Sequence, residues 1–177
     1  MSTHKYIEVK SSGIHSNGVF AKIDIPKGTR VVEYFGNKVT KEEGDRILDE
    51  TFKKHLENPE HQAGTYIFEL DEEWDVDGDV PGNDAKYINH SCNPNCKMDI
   101  DASEGKIWID SIKDIKKGEE LTYNYGFEIN DKDPYDFELQ VCRCGSKNCV
   151  GYMLDEEAWP RMRELLEKKE EHKHKDN

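Results

Sequence analysis

Three cysteines that lie within eight residues, Cys142, Cys144 and Cys149, constrain the fold of this chain more than any other feature. Zinc prefers four tetrahedral ligands, so this group is one ligand short. The other two cysteines, Cys92 and Cys96, lie far upstream, and a site completed by either of them would pin two distant segments together. Disulfide pairing is the alternative. The odd total of five cysteines and the lack of a secretory signal favour zinc.

A polar loop, Tyr87-Ile88-Asn89-His90-Ser91-Cys92-Asn93-Pro94-Asn95-Cys96, surrounds the upstream cysteines and is called loop 87–96 below. It is too polar for a core strand. Asn and Pro favour turns, because Asn bonds to nearby backbone and Pro fixes φ. A loop with this many hydrogen-bonding and metal-binding groups usually contacts a ligand or another segment. A plain tight turn after a strand is the alternative.

The composition points to one acidic domain with a basic partner. The chain has 177 residues, 34% of them hydrophobic and 36% charged, with a net charge of -13. Such a charge opposes direct binding to nucleic acid phosphates, which argues against a zinc-ribbon nucleic-acid binder, and it attracts Lys/Arg-rich peptides. Acidic runs over 69–79 and 128–138 are typical of solvated loops, yet they also suit a cationic peptide.

Neither a transmembrane run nor an N-terminal signal region is present in the sequence. We therefore expect an intracellular monomer, cytoplasmic if the source is bacterial and nuclear or chromatin-associated if it is eukaryotic.

The element pattern predicts a β-rich α+β fold of short strands rather than a regular alternation of strands and helices. Thr40 and Glu43 make a capping-box pattern that opens a helix over 41–57. A second helix is predicted from Pro160, followed by a charged tail, 168–177, that we expect to fray. Two stretches are similar, Ile25-Pro26-Lys27-Gly28 (the first basic turn) and Ile115-Lys116-Lys117-Gly118 (the second basic turn).

Two further stretches carry candidate binding groups. Residues 11–21 place two glycines around a small polar turn, which lets backbone N–H groups approach a ligand, although a plain hairpin explains the turn equally well. Tyr123 and Tyr125 are expected on the same side of a strand, and Tyr66 lies in another aromatic strand. Three tyrosines could line a channel for an alkylammonium or sulfonium cation, but ordinary cross-strand packing fits their spacing as well.

Together these motifs resemble the SET-domain protein lysine methyltransferases, in the family's order and over nearly the whole chain from Ile14 to about Tyr152. The layout is most similar to small stand-alone members with a post-SET zinc segment. The matching stretches are Ile14-His15-x-x-Gly18-Val19-Phe20-Ala21, Tyr66-Ile67-Phe68, Asn83-x3-Tyr87-Ile88-Asn89-His90-Ser91-Cys92-x-Pro94-Asn95, Gly118-Glu119-Glu120-Leu121-Thr122-Tyr123-Asn124-Tyr125 and Cys142-x-Cys144-Gly145-x3-Cys149-x-Gly151.

The resemblance implies a SET fold of small sheets with a C-terminal pseudoknot. It implies a SET domain over 5–127, with a helical insert at about 40–63, and a post-SET zinc segment over 138–154. A C-terminal helix and charged tail over 155–177 complete the chain.

The resemblance also implies residue roles. Tyr125 would be the catalytic tyrosine, Tyr66 would face both the cofactor and the lysine, and Tyr123 would set how many methyl groups are added. The implied cofactor-binding residues are His15, Asn17, Gly18, Tyr66, Asn89, His90, Tyr125, Arg143 and Tyr152. The implied ligands of one structural zinc are Cys92, Cys142, Cys144 and Cys149, which leaves Cys96 without a role.

The implied function is transfer of a methyl group from S-adenosylmethionine to a lysine in a basic protein, such as a histone tail. A catalytically weak SET module that binds a peptide or partner is the alternative. Two positions depart from the family pattern. Ser16 stands where the family commonly has glycine, and Asn124 stands where it commonly has aspartate.

Overall fold

The computed structural model of this protein describes residues 4–57, 66–101, 103–130, 137 and 140–175. Within these ranges the chain forms two α-helices, α1 (Lys41–Glu57) and α2 (Trp159–Lys175), and ten short strands. The strands are β1 (Ile7–Ser11), β2 (Asn17–Ala21), β3 (Arg30–Tyr34), β4 (Asn37–Thr40), β5 (Ile67–Glu69), β6 (Trp74–Asp77), β7 (Asn89–His90), β8 (Cys96–Asp101), β9 (Lys106–Ser111) and β10 (Glu120–Tyr123). The predicted β-rich architecture with an inserted helix and a C-terminal helix is confirmed.

The strands pair into three small sheets, ordered β1-β2-β10-β7, β3-β9-β8 and β4-β6-β5. Neighbouring strands are antiparallel except β10 and β7, which are parallel. In that pair Thr122 lies opposite Asn89, and Tyr123 lies opposite His90. The pairing of β7 with β10 therefore brings the polar residues of loop 87–96 next to the strand that ends at Tyr123.

The two basic turns pack against each other. Ile25 and Ile115 exchange two backbone hydrogen bonds, with N–O distances of 2.8 and 2.9 Å. The Asp24 carboxylate accepts a backbone N–H of the second turn at 2.9 Å, and Asp114 accepts one from the first turn at 2.8 Å. The sequence similarity of the turns thus corresponds to a reciprocal contact, which fixes the starts of β3 and β10 relative to each other.

The helix predicted over 41–57 is confirmed as α1. Thr40 caps it, because its hydroxyl oxygen accepts the N–H of Glu43 at 3.3 Å. The Glu43 carboxylate pairs with Arg46 one turn later instead of returning to Thr40, so only half of the predicted capping box forms. Lys41 reaches the buried Asp75 of β6 at 2.8 Å and fastens the helix to the third sheet. The remainder of the predicted insert, 58–63, lies outside the described residues.

Two hydrophobic cores support the site. The first is built from the sheets, and the second lies under α2 and contains Ile129, Phe137, Leu154 and Met162. The tail predicted to fray from residue 168 is helical in α2 as far as Lys175, where a bond from Lys168 to Glu164 at 2.6 Å supports the helical turn. Its fraying stays a prediction. Among the described residues, no helix has the length and apolar character needed to cross a bilayer.

Candidate functional site

Loop 87–96 is held against β10 like an additional strand. The N–H of Ser91 donates to the carbonyl of Tyr123 at 3.1 Å. The side-chain oxygen of Asn95 accepts the N–H of Thr122 at 2.9 Å, and the N–H of Asn95 donates to the carbonyl of Thr122 at 3.3 Å. These bonds explain why the loop is rich in asparagine: an amide side chain can imitate the backbone pairing that the irregular loop lacks.

Tyr125 lies just beyond the end of β10 and makes two hydrogen bonds to loop 87–96. Its hydroxyl donates to the carbonyl of Ile88 at 3.0 Å, and its backbone N–H donates to Nδ1 of His90 at 3.2 Å. An accepting Nδ1 assigns the proton of the neutral ring to Nε2, which lies 3.5 Å from Sγ of Cys92. Burial lowers the pKa of His90 to about 4, so the ring is neutral at physiological pH.

Five aromatic rings form a continuous wall beside this point, in the order Tyr34, Phe68, Tyr123, Tyr125 and Phe127. Successive ring centroids are 4.3, 5.9, 4.9 and 5.7 Å apart. Tyr123 and Tyr125 share one side, although β10 ends at the first of them. Aromatic packing, one of the two interpretations of the tyrosine spacing, is therefore present, and the channel remains a prediction.

The hydroxyls of the predicted site tyrosines stay protonated at neutral pH. Burial raises the pKa of Tyr123 and of Tyr125 far above the ordinary tyrosine value. Half-burial raises the pKa of Tyr66, and the neighbouring Tyr87 adds to the effect. The backbone carbonyl of Tyr66 accepts the hydroxyl of Tyr34 at 2.7 Å, which ties it to the aromatic wall. Each tyrosine can consequently act as a neutral hydrogen-bonding group and not as a phenolate.

The stretch 14–21, which resembles the family's cofactor turn, and Ser12 just before it are tied to β10 through side chains; residues 12–18 are called the cofactor turn below. The buried Asn89 donates from Nδ2 to the carbonyl of Asn17 at 3.0 Å and to Oε1 of Glu120 at 2.8 Å. The same oxygen of Glu120 accepts the hydroxyl of Ser12 at 2.7 Å. Sequence reasoning missed Ser12 and Glu120, and the only local signal was an acidic residue that opens a strand after a glycine turn.

Ser16 is the only non-glycine residue with positive φ in the described part of the chain, at 36°. We expect Ser16→Gly to be at least as stable as the parent, because left-handed strain of about 1–2 kcal/mol is relieved against a chain-entropy cost of about 0.5–1 kcal/mol. Urea unfolding measures the difference, and Ser16→Ala, which retains the strain, is the matched control. A clear loss of stability in the glycine variant would contradict the inference that Ser16 is strained by its left-handed backbone conformation.

The four cysteines implied as zinc ligands are brought together. Cys92 comes from loop 87–96, and Cys142, Cys144 and Cys149 come from the C-terminal segment. Their sulfur atoms all lie within 4.8 Å of one another, and the sulfurs of Cys92 and Cys142 are 3.8 Å apart. With Zn–S bonds of about 2.3 Å, the edges of a sulfur tetrahedron measure about 3.8 Å, so the donor set fits a four-thiolate metal site.

Hydrogen-bond donors surround three of these sulfurs. Backbone N–H groups of Cys144 and Gly151 approach the sulfurs of Cys142 and Cys149 at 3.5 and 3.4 Å. Burial would raise the pKa of Cys144, but hydrogen bonds, from Ser146 above all, lower it to about 6.

Burial also raises the pKa of Cys92, to about 11. That thiol ionises at neutral pH only when a cation compensates its charge, as a bound metal does.

Cys96, the other candidate for the fourth ligand, is a core residue instead. It begins β8, lies opposite Ser111 of β9, and is 1% exposed. Burial raises the pKa of its thiol to about 12, so it behaves as a small apolar side chain. All five cysteines are free, so the disulfide alternative does not occur.

The remaining predicted cofactor residues lie in two places: His15 in the cofactor turn, and Arg143 and Tyr152 in the C-terminal segment that carries three of the cysteines. His15 is half-buried, and its carbonyl lies 3.5 Å from Nδ2 of Asn89. Arg143 is exposed. Tyr152 is half-buried and packs edge-on against Phe137 at 5.0 Å, inside the second core. Their roles in cofactor binding stay predictions.

Comparison of the sequence with models of protein families identifies a SET domain in the part of the chain that forms the candidate site. A model of the SET domain matches residues 16–126, which is more than half of the chain. The matched region contains residues 16–18 at the end of the predicted cofactor turn, all of loop 87–96, and β10 together with Tyr125 just after it.

Curated relatives share this region. "Histone-lysine N-methyltransferase, H3 lysine-4 specific" of Schizosaccharomyces pombe is 40% identical over 152 residues, which cover 84% of this chain and 15% of that protein. "Histone-lysine N-methyltransferase 2D" of Homo sapiens is 38% identical over 144 residues, 80% of this chain and 2% of that protein. "Histone-lysine N-methyltransferase trithorax" of Drosophila virilis is 35% identical over 150 residues, 84% of this chain and 4% of that protein. The chain thus spans a small part of each of these relatives.

Proposed function

We propose that this chain, which belongs to the SET-domain family, is a protein-lysine N-methyltransferase that uses S-adenosylmethionine. The observation that carries the proposal is the junction of β7 and β10, where Tyr125 is fastened to His90 and Ile88 beside the buried Tyr123. The family's signature loop and catalytic strand meet there.

The lysine side chain would enter between Tyr66, Tyr123 and Tyr125. S-adenosylmethionine supplies a methyl group on a positively charged sulfur. The accepting lysine must arrive neutral, and a desolvated aromatic channel favours the neutral amine over the ammonium ion. Because the hydroxyl of Tyr125 donates its proton to the carbonyl of Ile88, its oxygen lone pairs are left to accept a hydrogen bond from the amine and orient it. We assign no carboxylate base.

The cofactor would lie against the turn of His15, Asn17 and Gly18 and against Asn89 and His90. We further propose that the four-cysteine group holds one structural zinc, since four thiolates leave no open position for water. The ordered segment would then carry Arg143 and Tyr152 to the cofactor. We assign the SET domain to 5–127, the post-SET segment to 138–154, and the C-terminal helix with its charged tail to 155–177.

The substrate we propose is a lysine in a basic protein segment. The net charge of -13 and the exposed carboxylates of Asp71, Glu72, Glu73 and Asp79 favour a cationic partner. A relative named for specificity toward H3 lysine 4 makes the tail of histone H3 the first candidate. A histone substrate would bring the activity to chromatin.

Transfer of an isotopically labelled methyl group tests this function. Purified protein is incubated with labelled S-adenosylmethionine and an array of basic peptides that includes the H3 tail, each paired with a variant that has arginine in place of the lysine. We expect label on lysine peptides and not on their arginine counterparts, with the site located by mass spectrometry. Binding of cofactor and peptide without transfer would support the weak SET module instead.

The number of methyl groups added should depend on Tyr123. Its buried hydroxyl takes up space beside Tyr125 and can hold a water, which biases the product toward fewer methyl groups, chiefly monomethyl-lysine and to a lesser extent dimethyl-lysine. Tyr123→Phe keeps the ring packing and removes the hydroxyl, so we expect a higher proportion of di- and trimethyl-lysine by mass spectrometry at matched turnover. An unchanged product distribution would refute this role.

A further inference from the structure

Glu120 joins three parts of the candidate site at one carboxylate oxygen. The residue begins β10, the strand that ends at Tyr123. Its Oε1 accepts the hydroxyl of Ser12 at 2.7 Å and Nδ2 of Asn89 at 2.8 Å. The hydroxyl oxygen of Ser12 in turn accepts the N–H of Ile14 at 2.9 Å. The cofactor turn, loop 87–96 and β10 are therefore registered to one another through this side chain.

Gly18 is shaped to this carboxylate. A Cβ atom at position 18 would lie 2.3 Å from Oε1 of Glu120 and 2.9 Å from Cβ of Ser12. The end of a flexible side chain usually moves aside at little cost, but here movement would break both hydrogen bonds. The turn can approach β10 this closely only while residue 18 lacks a side chain.

The carboxylate also orients the Asn89 amide. An ionised carboxylate only accepts hydrogen bonds, so Asn89 must turn its NH2 group toward Glu120, and its second N–H reaches the carbonyl of Asn17. The amide oxygen then faces away from these acceptors. Within the described part of the chain it accepts no hydrogen bond, so it remains available to a ligand at the turn.

We propose that Glu120 is a positioning residue for the cofactor, which rests on the proposed function. It acts through Asn89 and the cofactor turn. It holds these cofactor-binding groups at a fixed position relative to Tyr123, at the end of the same strand, and Tyr125 just after it. Such registration matters for cofactor affinity, because a binding site that is already ordered loses less conformational entropy when the ligand binds.

Titration calorimetry of the zinc-loaded full chain with S-adenosylmethionine tests the proposal, alongside kcat and the KM for the cofactor. We expect Glu120→Ala to raise Kd and KM about tenfold, since two charge-assisted hydrogen bonds are lost, with kcat at saturating cofactor changed less than about threefold. Glu120→Gln should retain Kd within about threefold, because its amide oxygen can still accept both donors.

Glu119→Ala is the matched control. This neighbouring carboxylate is exposed and accepts a backbone N–H of the second basic turn at 2.7 Å, so its removal should leave the cofactor Kd unchanged. Gly18→Ala should weaken binding alone and should weaken it less in the Glu120→Ala background, because the obstructing carboxylate is gone.

The outcomes separate this inference from the proposed function. A parent protein that binds no S-adenosylmethionine would contradict the function itself. A parent that binds it, with a Glu120→Ala variant that binds equally well, would overturn only the role of Glu120. A Glu120→Gln variant as weak as Glu120→Ala would likewise overturn it, because charge and not hydrogen-bond geometry would then be responsible.

Discussion

The Tyr125→Phe variant should transfer methyl groups at least about a hundredfold more slowly than the parent while its affinity for S-adenosylmethionine stays nearly unchanged. The substitution removes one oxygen, which donates to the carbonyl of Ile88 and presents its lone pairs to the site. The backbone bond from Tyr125 to His90 and the ring contacts to Tyr123 and Phe127 are retained. The loss should therefore appear in kcat rather than in cofactor binding.

Two measurements distinguish this effect from a loss of folding. The unpaired carbonyl of Ile88 should lower the free energy of unfolding by only about 1 kcal/mol, which thermal unfolding can detect. Tyr6→Phe is the control, because that hydroxyl contacts the exposed Lys5 outside the site, and full activity is expected. Methyl transfer at the parental rate in Tyr125→Phe would remove this tyrosine from the mechanism.

Features that short stretches of sequence encode were predictable. Helix α1 follows from a capping residue and helical periodicity, and both of its ends agree with the predicted range 41–57. The group of four cysteines that could hold a metal was predicted once the family resemblance selected Cys92 over Cys96. Spacing alone left that choice open, because both cysteines flank the same turn at Pro94. In the structure Cys92 lies among the four close cysteines, whereas Cys96 lies opposite Ser111 in the core.

Features that depend on contacts between distant residues were not predictable. Ser12 and Glu120 are 108 positions apart, and nothing in either local stretch indicates their hydrogen bond. The two basic turns were recognised as similar, but their mutual pairing depends on the sheet order. The extension of α2 to Lys175 through a tail without apolar residues was not predicted either; the ion pair between Lys168 and Glu164, at helical spacing, supports it.

Cys92→Ala should abolish zinc binding, whereas Cys96→Ala should retain it. Apparent binding free energies of structural zinc are about 10–16 kcal/mol, so loss of one ligand should disorder the segment that carries the other three. The zinc content, measured by inductively coupled plasma mass spectrometry, should fall to nearly zero ions per chain for Cys92→Ala and should remain at about one ion per chain for Cys96→Ala. The core variant should lose only about 1–2 kcal/mol of stability from the small cavity it creates.

The metal should matter this much because, among the residues that the structure describes, few hydrogen bonds join the cysteine segment to loop 87–96. Asn148 donates to the carbonyl of Cys92 at 2.9 Å, and a backbone bond from Asp155 to Phe127 at 2.8 Å anchors the far end. Each such bond contributes about 1 kcal/mol, far less than the metal. Limited proteolysis of Cys92→Ala, or of the parent treated with a chelator, should therefore cleave within 142–149 and reduce methyl transfer. If Cys96→Ala lost its zinc while Cys92→Ala kept it, the assignment of the fourth ligand would be wrong.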